Sequence, residues 1–294
     1  MEGNKLEMAR SRKPKISKAE KLDLDKDVAS RQKMIKGWRQ GRLRKTSILV
    51  AGAGALGNEI VKNLVMLGIG TIYIIDFDEV VKANLNRCIF FRLSDTENGR
   101  KKVKAIAKRA KELDPYGYIT ITPIVDEIGP KGIYYQHPIF DKKKIDLIFG
   151  AVDNDITRIY LSIISLFHNI PYIDGAMLGL TGNVFTMIPP SSSCYGCVLS
   201  DTSLVEIMRR FKCPEMRGVI DRKVPSLPTT TSIISAIQVQ EALKIILNPN
   251  SKDEESLGKP SPGKMISVNL ATNDWFVYNV PKKQGCPACS YYVR

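Results

Sequence analysis

Gly52, Gly54 and Gly57 close a short apolar run, and their spacing, Gly52-Ala53-Gly54-Ala55-Leu56-Gly57, spells G-x-G-x-x-G. A turn of this kind lets the backbone fold tightly and aims N–H groups and a helix N-terminus at phosphate. Asp76 follows at the end of the next apolar run, about twenty residues on, where a carboxylate can accept from ribose hydroxyls. The pairing points to a bound nucleotide. Alone it is weakly specific, since many dehydrogenases carry the same turn.

The residues beyond Asp76 are unlike those of a dehydrogenase. After Asp76-Phe77-Asp78 come Asn84-Leu85-Asn86-Arg87, then Gly99-Arg100-Lys101-Lys102, then Ala151-Val152-Asp153-Asn154. The set offers carboxylates for ribose and Mg²⁺ (Asp76, Asp153) and cations for a triphosphate (Arg87, Lys102), the groups that phosphoryl chemistry requires. A second constellation is made of thiols. Cys194/Cys197 and Cys286/Cys289 form two C-x-x-C pairs. Such pairs let thiolates converge on one ion, and two of them make a tetrahedral, closed zinc site that ties the end of the chain to its middle. A thioredoxin-like redox role is the weaker reading, because neither pair is expected to open a helix after a strand.

These groups need a scaffold that brings strand ends together. Hydrophobic patterning predicts a basic helix over Asp27 to Gly41, a helix from Asn58 to Leu67 capped by Gly68, and a strand over Thr71 to Asp76. A loop over Phe77 to Gly99 follows, with a helix over Lys101 to Leu113 and a strand over Tyr118 to Pro123. Further strands are expected at Ile145 to Ala151 and Tyr172 to Asp174, with a helix over Thr157 to His168 between them. This alternation argues for a Rossmann-like, doubly wound parallel α/β sheet with its ligand at the carboxyl ends of the strands. The texture then changes: Gly182 to Ile188 and Lys264 to Val280 read as antiparallel strands, and Thr231 to Leu247 as a buried helix. The expected organisation is a basic arm (1–26) and a single domain (27–294). Residues 27–180 would form its nucleotide-binding half, and 181–294 the antiparallel strands, the crossover segment and the zinc site.

Composition sets the outer bounds. The 294 residues carry 44% hydrophobic and 25% charged side chains, ordinary values for a globular protein. No apolar run is long enough to span a bilayer, and the polar, charged N-terminus does not resemble a secretory signal. The expectation is a cytoplasmic protein. Much of the net charge of +14 lies before residue 46, where basic residues outnumber acidic ones by roughly two to one. With no aromatic interleaving or base-reading motif, the excess reads as a solvated arm rather than a nucleic-acid surface.

The ordered set G-x-G-x-x-G, D-F-D, N-x-N-R, G-x-x-K, D-N, C-x-x-C and C-x-x-C resembles the family of MoeB, ThiF and the ubiquitin-activating enzymes, and runs from about Arg31 to Cys289. The resemblance is to a minimal prokaryotic member. It implies that MgATP is used to adenylate the C-terminal glycine of a ubiquitin-like protein ending in Gly-Gly, with release of pyrophosphate. Carried over, Gly52, Gly54, Ala55, Leu56 and Gly57 hold the nucleotide, Asp76 and Asp78 lie at its ribose, and Asn84 and Arg87 contact phosphate. Lys102 neutralises phosphate charge, and Asp153 with Asn154 stands at the Mg²⁺/ATP position. The cysteine quartet matches the family's zinc site. Arg31-Gln32 resembles an arginine finger that reaches a partner protomer's ATP site, which implies a homodimer.

Cys213, in Phe211-Lys212-Cys213-Pro214 near Arg209 and Arg210, is read as a nucleophile that takes the activated carboxylate as a thioester, since basic neighbours lower a thiol's pKa. The bland alternative is an ordinary cysteine. Some relatives place the cysteine closer to the stretch matching Pro225-Ser226-Leu227-Pro228-Thr229-Thr230, where this chain has Lys223. Cys88, after Arg87, reads as a buried core thiol. Within the family, a conjugation pathway with a conjugating enzyme competes with adenylation of a MoaD- or ThiS-like sulfur carrier, for cofactor biosynthesis or tRNA thiolation. An NAD dehydrogenase leaves Arg87, Lys102 and the cysteines unexplained. An inactive binding subunit would not be expected to keep the full nucleotide set.

Overall fold

The computed structural model describes residues 25–142, 145–203, 225–247, 257–286 and 288–289. Cys213 and Lys223 lie outside them, as do residues 1–24 of the expected basic arm. The basic helix expected over Asp27 to Gly41 is instead two short pieces, α1 (Ser30–Lys33) and α2 (Gln40–Lys45). Gly37 takes a left-handed conformation between them (φ 84°), and ahead of the first the Asp27 side chain accepts from the Ala29 amide at 2.9 Å.

From there the chain alternates: β1 (Ser47–Ala51), α3 (Ala55–Leu67), β2 (Thr71–Ile75), α4 (Leu93–Glu97), α5 (Lys102–Leu113), β3 (Thr120–Ile124), α6 (Pro138–Lys142), β4 (Leu147–Gly150), α7 (Asp155–His168) and β5 (Tyr172–Leu178). It continues as β6 (Thr181–Met187), α8 (Tyr195–Val198), α9 (Pro228–Leu247), β7 (Lys264–Asn269) and β8 (Asp274–Asn279). The strands form one sheet in the order β3-β2-β1-β4-β5-β6-β7-β8. The pairs from β3 to β5 are parallel, and β5 to β8 are antiparallel. The α/β class, the parallel half and its antiparallel extension are therefore as the patterning implied.

Differences are local. Helix α3 starts at Ala55 rather than Asn58, so Gly57 and Asn58 belong to its first turn. The loop after β2 contains the short helix α4 and a 3₁₀ turn at Lys82–Asn84. Strand β5 runs on to Leu178 because β6 pairs along its whole length; Gly175-Ala176-Met177-Leu178 beyond Asp174 carries no β-branched or aromatic residue to mark a strand. Cys194 caps a four-residue helix, α8, so this C-x-x-C does open a helix, contrary to expectation.

Alternate residues of β1 face opposite layers: Ile48 and Val50 pack with α3, α5 and α9, whereas Leu49 and Ala51 pack with α7 and the cysteine region. Burial on both faces makes such strands continuously apolar. Helix α9 is held to the sheet by a polar link. Gln238 is fully buried, and its Nε2 donates to the Gly150 carbonyl at 2.9 Å and the Ile173 carbonyl at 3.3 Å. At the far edge, Trp275, Phe276, Val277 and Tyr278 of β8 are all exposed. No helix among the described residues is long and apolar enough to cross a membrane.

Gln238→Met keeps the length and removes both hydrogen bonds. It is expected to lower the unfolding free energy by about 1–3 kcal/mol, read from a urea melt.

Candidate functional site

In this strand order β1 lies between β2 and β4, so the chain leaves neighbouring parallel strands in opposite directions at the β1/β4 boundary. Such a switch point opens a crevice at the carboxyl ends of the strands. Ala51 pairs with both Ile75 and Gly150, which brings the glycine turn, Asp76 and the Ala151–Asn154 loop to one edge.

The turn depends on close backbone approach. A Cβ on Gly52 would lie 2.4 Å from the Ala151 carbonyl oxygen, and one on Gly57 would lie 2.0 Å from that of Gly52. No side chain caps α3, which leaves its first-turn amides for an anion. Asp76 is tied in from β2: Oδ2 accepts from the Ala53 amide at 2.7 Å and Oδ1 from the Asp78 amide at 2.8 Å. Burial pushes its carboxyl above the usual range, while Lys102 and those two amides pull it back.

The cations stand on the same side. Lys102 Nζ pairs with Asp78 Oδ2 at 2.6 Å and Lys101 Nζ with Glu79 Oε1 at 3.1 Å. Arg87 donates to the Ala83 carbonyl and, at 3.0 Å, to Asn86 Oδ1. It lines a shallow recess of about 240 Å³ with Glu59, Leu85, Arg92 and Pro228. Asn84 accepts from the Val81 amide at 3.1 Å, and so shapes the 3₁₀ turn that presents Arg87. Cys88 is buried as expected, and burial pushes its thiol up to about 11. Asp153 is exposed at the mouth of the crevice, and Asn154 caps α7 by accepting from the Thr157 amide at 2.9 Å.

Arg31 does not join this group. It pairs with Asp25 at 3.2 Å, and its neighbour Gln32 donates to the Met66 carbonyl at 3.4 Å. Met66 lies near the opposite end of α3 from the glycine turn, about 16 Å along the helix axis.

Sequence reasoning missed two residues that hold the crevice in shape. Fully buried Asn58 donates to the Ala53 and Gly54 carbonyls at 3.1 and 2.9 Å and accepts from the Phe90 amide at 3.0 Å. It thereby joins the glycine turn to the segment after Arg87. Arg158 is buried beside Asp174. Burial pushes the Asp174 carboxyl up to about 6 against the pull of Arg158 and of the Tyr172 hydroxyl. The available signal was a polar residue within an apolar helical stretch: Asn58 just after Gly57, and Arg158 between Ile156 and Ile159.

The four cysteines meet on the other face of the sheet. Their sulfurs all lie within 4.8 Å of one another, and all four side chains are buried and unbridged. Sγ–Sγ separations are 3.6 Å (Cys194–Cys286), 3.7 Å (Cys197–Cys289) and 3.8 Å (Cys194–Cys197). A tetrahedron with zinc–sulfur bonds of about 2.3 Å has edges of about 3.8 Å. The donor set and spacing therefore suit zinc, which Cys194, Cys197, Cys286 and Cys289 would hold.

The ThiF family profile matches residues 28–288. The SAMP-activating enzyme E1 of Haloferax volcanii is 25% identical over 251 residues, 85% of this chain and 82% of that protein. The sulfur carrier protein adenylyltransferase of Thermus thermophilus is 23% identical over 257 residues, 85% of this chain and 84% of that protein. Fungal ubiquitin-activating enzymes also match, but this chain spans only 24% and 16% of their lengths. Among solved structures, E. coli MccB with ATP superposes with a TM-score of 0.66 at 20% identity, covering 85% of this chain and 68% of that one. That likeness shows the fold.

Removing metal with a chelator is expected to lower the thermal midpoint, because the ion links residues far apart in sequence. An unchanged melt after verified metal loss would exclude a structural ion.

Proposed function

Because the chain belongs to the ThiF family, we propose that it is an E1-like adenylyltransferase that uses MgATP to activate the C-terminal glycine carboxylate of a ubiquitin-like protein. The observation that carries this reading is the meeting of the glycine turn, Asp76 and the Asp153 loop at one sheet edge, with Arg87 in the loop after β2 and Lys102 at the start of α5. In this reading the turn and the α3 N-terminus hold phosphate, and Asp76 takes the ribose. Asp153 would hold Mg²⁺, which would supply positive charge to offset that of the phosphates.

Lys102 is paired with Asp78. A triphosphate carries more charge than one carboxylate and would draw the ammonium across. The substrate carboxylate attacks the α-phosphorus, a carbon–oxygen–phosphorus anhydride forms, and the bond to the β-phosphate breaks to release pyrophosphate. No side-chain base is required, because a carboxylate is already ionised at neutral pH. Catalysis is positioning and charge neutralisation.

In this proposal the active unit is a homodimer. Arg31 lies near the far end of its own α3, which favours use by a partner protomer over use within one chain. The Cys213 thiolate would then attack the acyl carbon of the adenylate, the carbon–oxygen bond to the phosphate would break with release of AMP, and the resulting thioester would pass to a conjugating enzyme as the next acceptor. A sulfur-carrier protein is the second candidate substrate, supported by the match to the Thermus adenylyltransferase over most of both chains.

ATP–pyrophosphate exchange with candidate Gly-Gly proteins tests the reading. Asp153→Ala is expected to lower exchange by roughly a hundredfold or more, and near wild-type exchange would remove Asp153 from the site. Cys213→Ala is expected to keep exchange while losing a reductant-sensitive adduct with the partner; an adduct that persists would assign the thioester elsewhere.

A further inference from the structure

Arg158 and Tyr195 stand behind the Asp153 loop, and the adenylation chemistry uses neither directly. Arg158 Nη2 donates to the Val152 carbonyl at 2.7 Å and Nη1 to Asp155 Oδ1 at 3.0 Å. One guanidinium thus grips the chain immediately before and immediately after Asp153-Asn154. Its Nε faces Asp174 Oδ2 at 3.2 Å, and Asp174 is held in turn by the Tyr172 hydroxyl at 2.6 Å. The anchor is therefore a buried, doubly fixed carboxylate on β5.

Tyr195 reaches the same point from the opposite direction. It lies between Cys194 and Cys197, its amide donates to Ser162 Oγ at 3.1 Å, and its hydroxyl donates to Asp155 Oδ1 at 2.8 Å. The oxygen that Arg158 holds is thus also held from the cysteine cluster. Its ring lies 5.8 Å from the guanidinium carbon. Arg158 Nε meets Asp174 as an ion pair without a hydrogen bond, so the rigidity lent to the loop comes from the two Nη bonds and the Tyr195 hydroxyl.

We propose that Arg158 and Tyr195 are positioning residues for Asp153, forming a bracket through which order in the cysteine cluster sets the geometry of the magnesium loop. The inference rests on the proposed role of Asp153 at Mg²⁺/ATP. A purely structural network would alter the melt alone. A bracket on this loop alters the gain in ATP affinity that Mg²⁺ confers, and leaves magnesium-free binding at the glycine turn and Asp76 unchanged.

The test uses Tyr195→Phe, which keeps the ring, and Arg158→Lys, which keeps the charge. ATP affinity is measured by titration calorimetry with and without Mg²⁺, and amide hydrogen exchange is followed over residues 152–156 in the nucleotide-free protein. Both variants are expected to lose roughly tenfold of the magnesium-dependent gain and to exchange faster across that loop. Chelating the cluster's metal from the wild type is expected to reproduce both effects, and to add little in Tyr195→Phe. Should Arg158→Lys fail to fold, Tyr195→Phe carries the test, since it removes one hydroxyl and leaves the guanidinium paired. Wild-type magnesium gain and exchange in folded Tyr195→Phe would overturn the bracket and leave the proposed function standing. A wild-type protein that binds no ATP would remove both.

Discussion

The nucleotide end of this protein depends on one steric constraint: the chain turning out of β1 must pass against the end of β4 with no side chain between them. Gly52 lies against the Ala151 carbonyl and Gly57 against that of Gly52. That contact lets α3 begin within four residues of the strand, with its first-turn amides aimed at the crevice. It also brings the turn within hydrogen-bond reach of Asp76. A larger residue at either glycine would push the helix outward and separate groups that a triphosphate must touch together.

The two halves of the sheet divide the work. The parallel strands concentrate their carboxyl ends at the switch point, which is where open α/β sheets form ligand crevices. The antiparallel half carries β5 past Asp174 and into a hairpin with β6. The chain beyond β6 then delivers Cys194 and Cys197 beneath α7, where Cys286 and Cys289 return to meet them. A zinc ion there would add to the contacts that Lys282 and Lys283 already make with Pro190, Leu199 and Asp201. Buried polar groups (Asn58, Gln238, Arg158, Asp174) then fix how helices sit on the sheet, since apolar packing tolerates sliding that paired hydrogen bonds do not.

Much of the site was legible because its residue types are chemically unusual. The spaced glycines, the carboxylate ending β2, the cation-bearing loops and the paired cysteines each stand out from an apolar background, and the α/β alternation is periodic. Asn58 and Arg158 were harder to see. Each is a polar residue in a helix whose neighbours are apolar, and its role comes from partners distant in the chain: Phe90 for Asn58, Asp174 for Arg158. The basic helix was misjudged because its charge pattern said nothing about Gly37. The full length of β5 was hidden because Gly175-Ala176-Met177-Leu178 lacks β-branched residues and is held to β6 through its backbone.

Residue order alone determined which groups are available here: a glycine turn with its backbone amides, spaced carboxylates, loop cations and four paired cysteines. These follow from side-chain type and short-range spacing, which folding does not alter. Tertiary structure decided which of them meet. It gathered the turn, Asp76 and the Asp153 loop at one sheet edge, left Arg31 near the far end of α3, and joined Tyr195 to Asp155 from the cysteine cluster. Those distances depend on strand order and helix packing, which are properties of the whole chain collapsed on its core and of no single stretch of it.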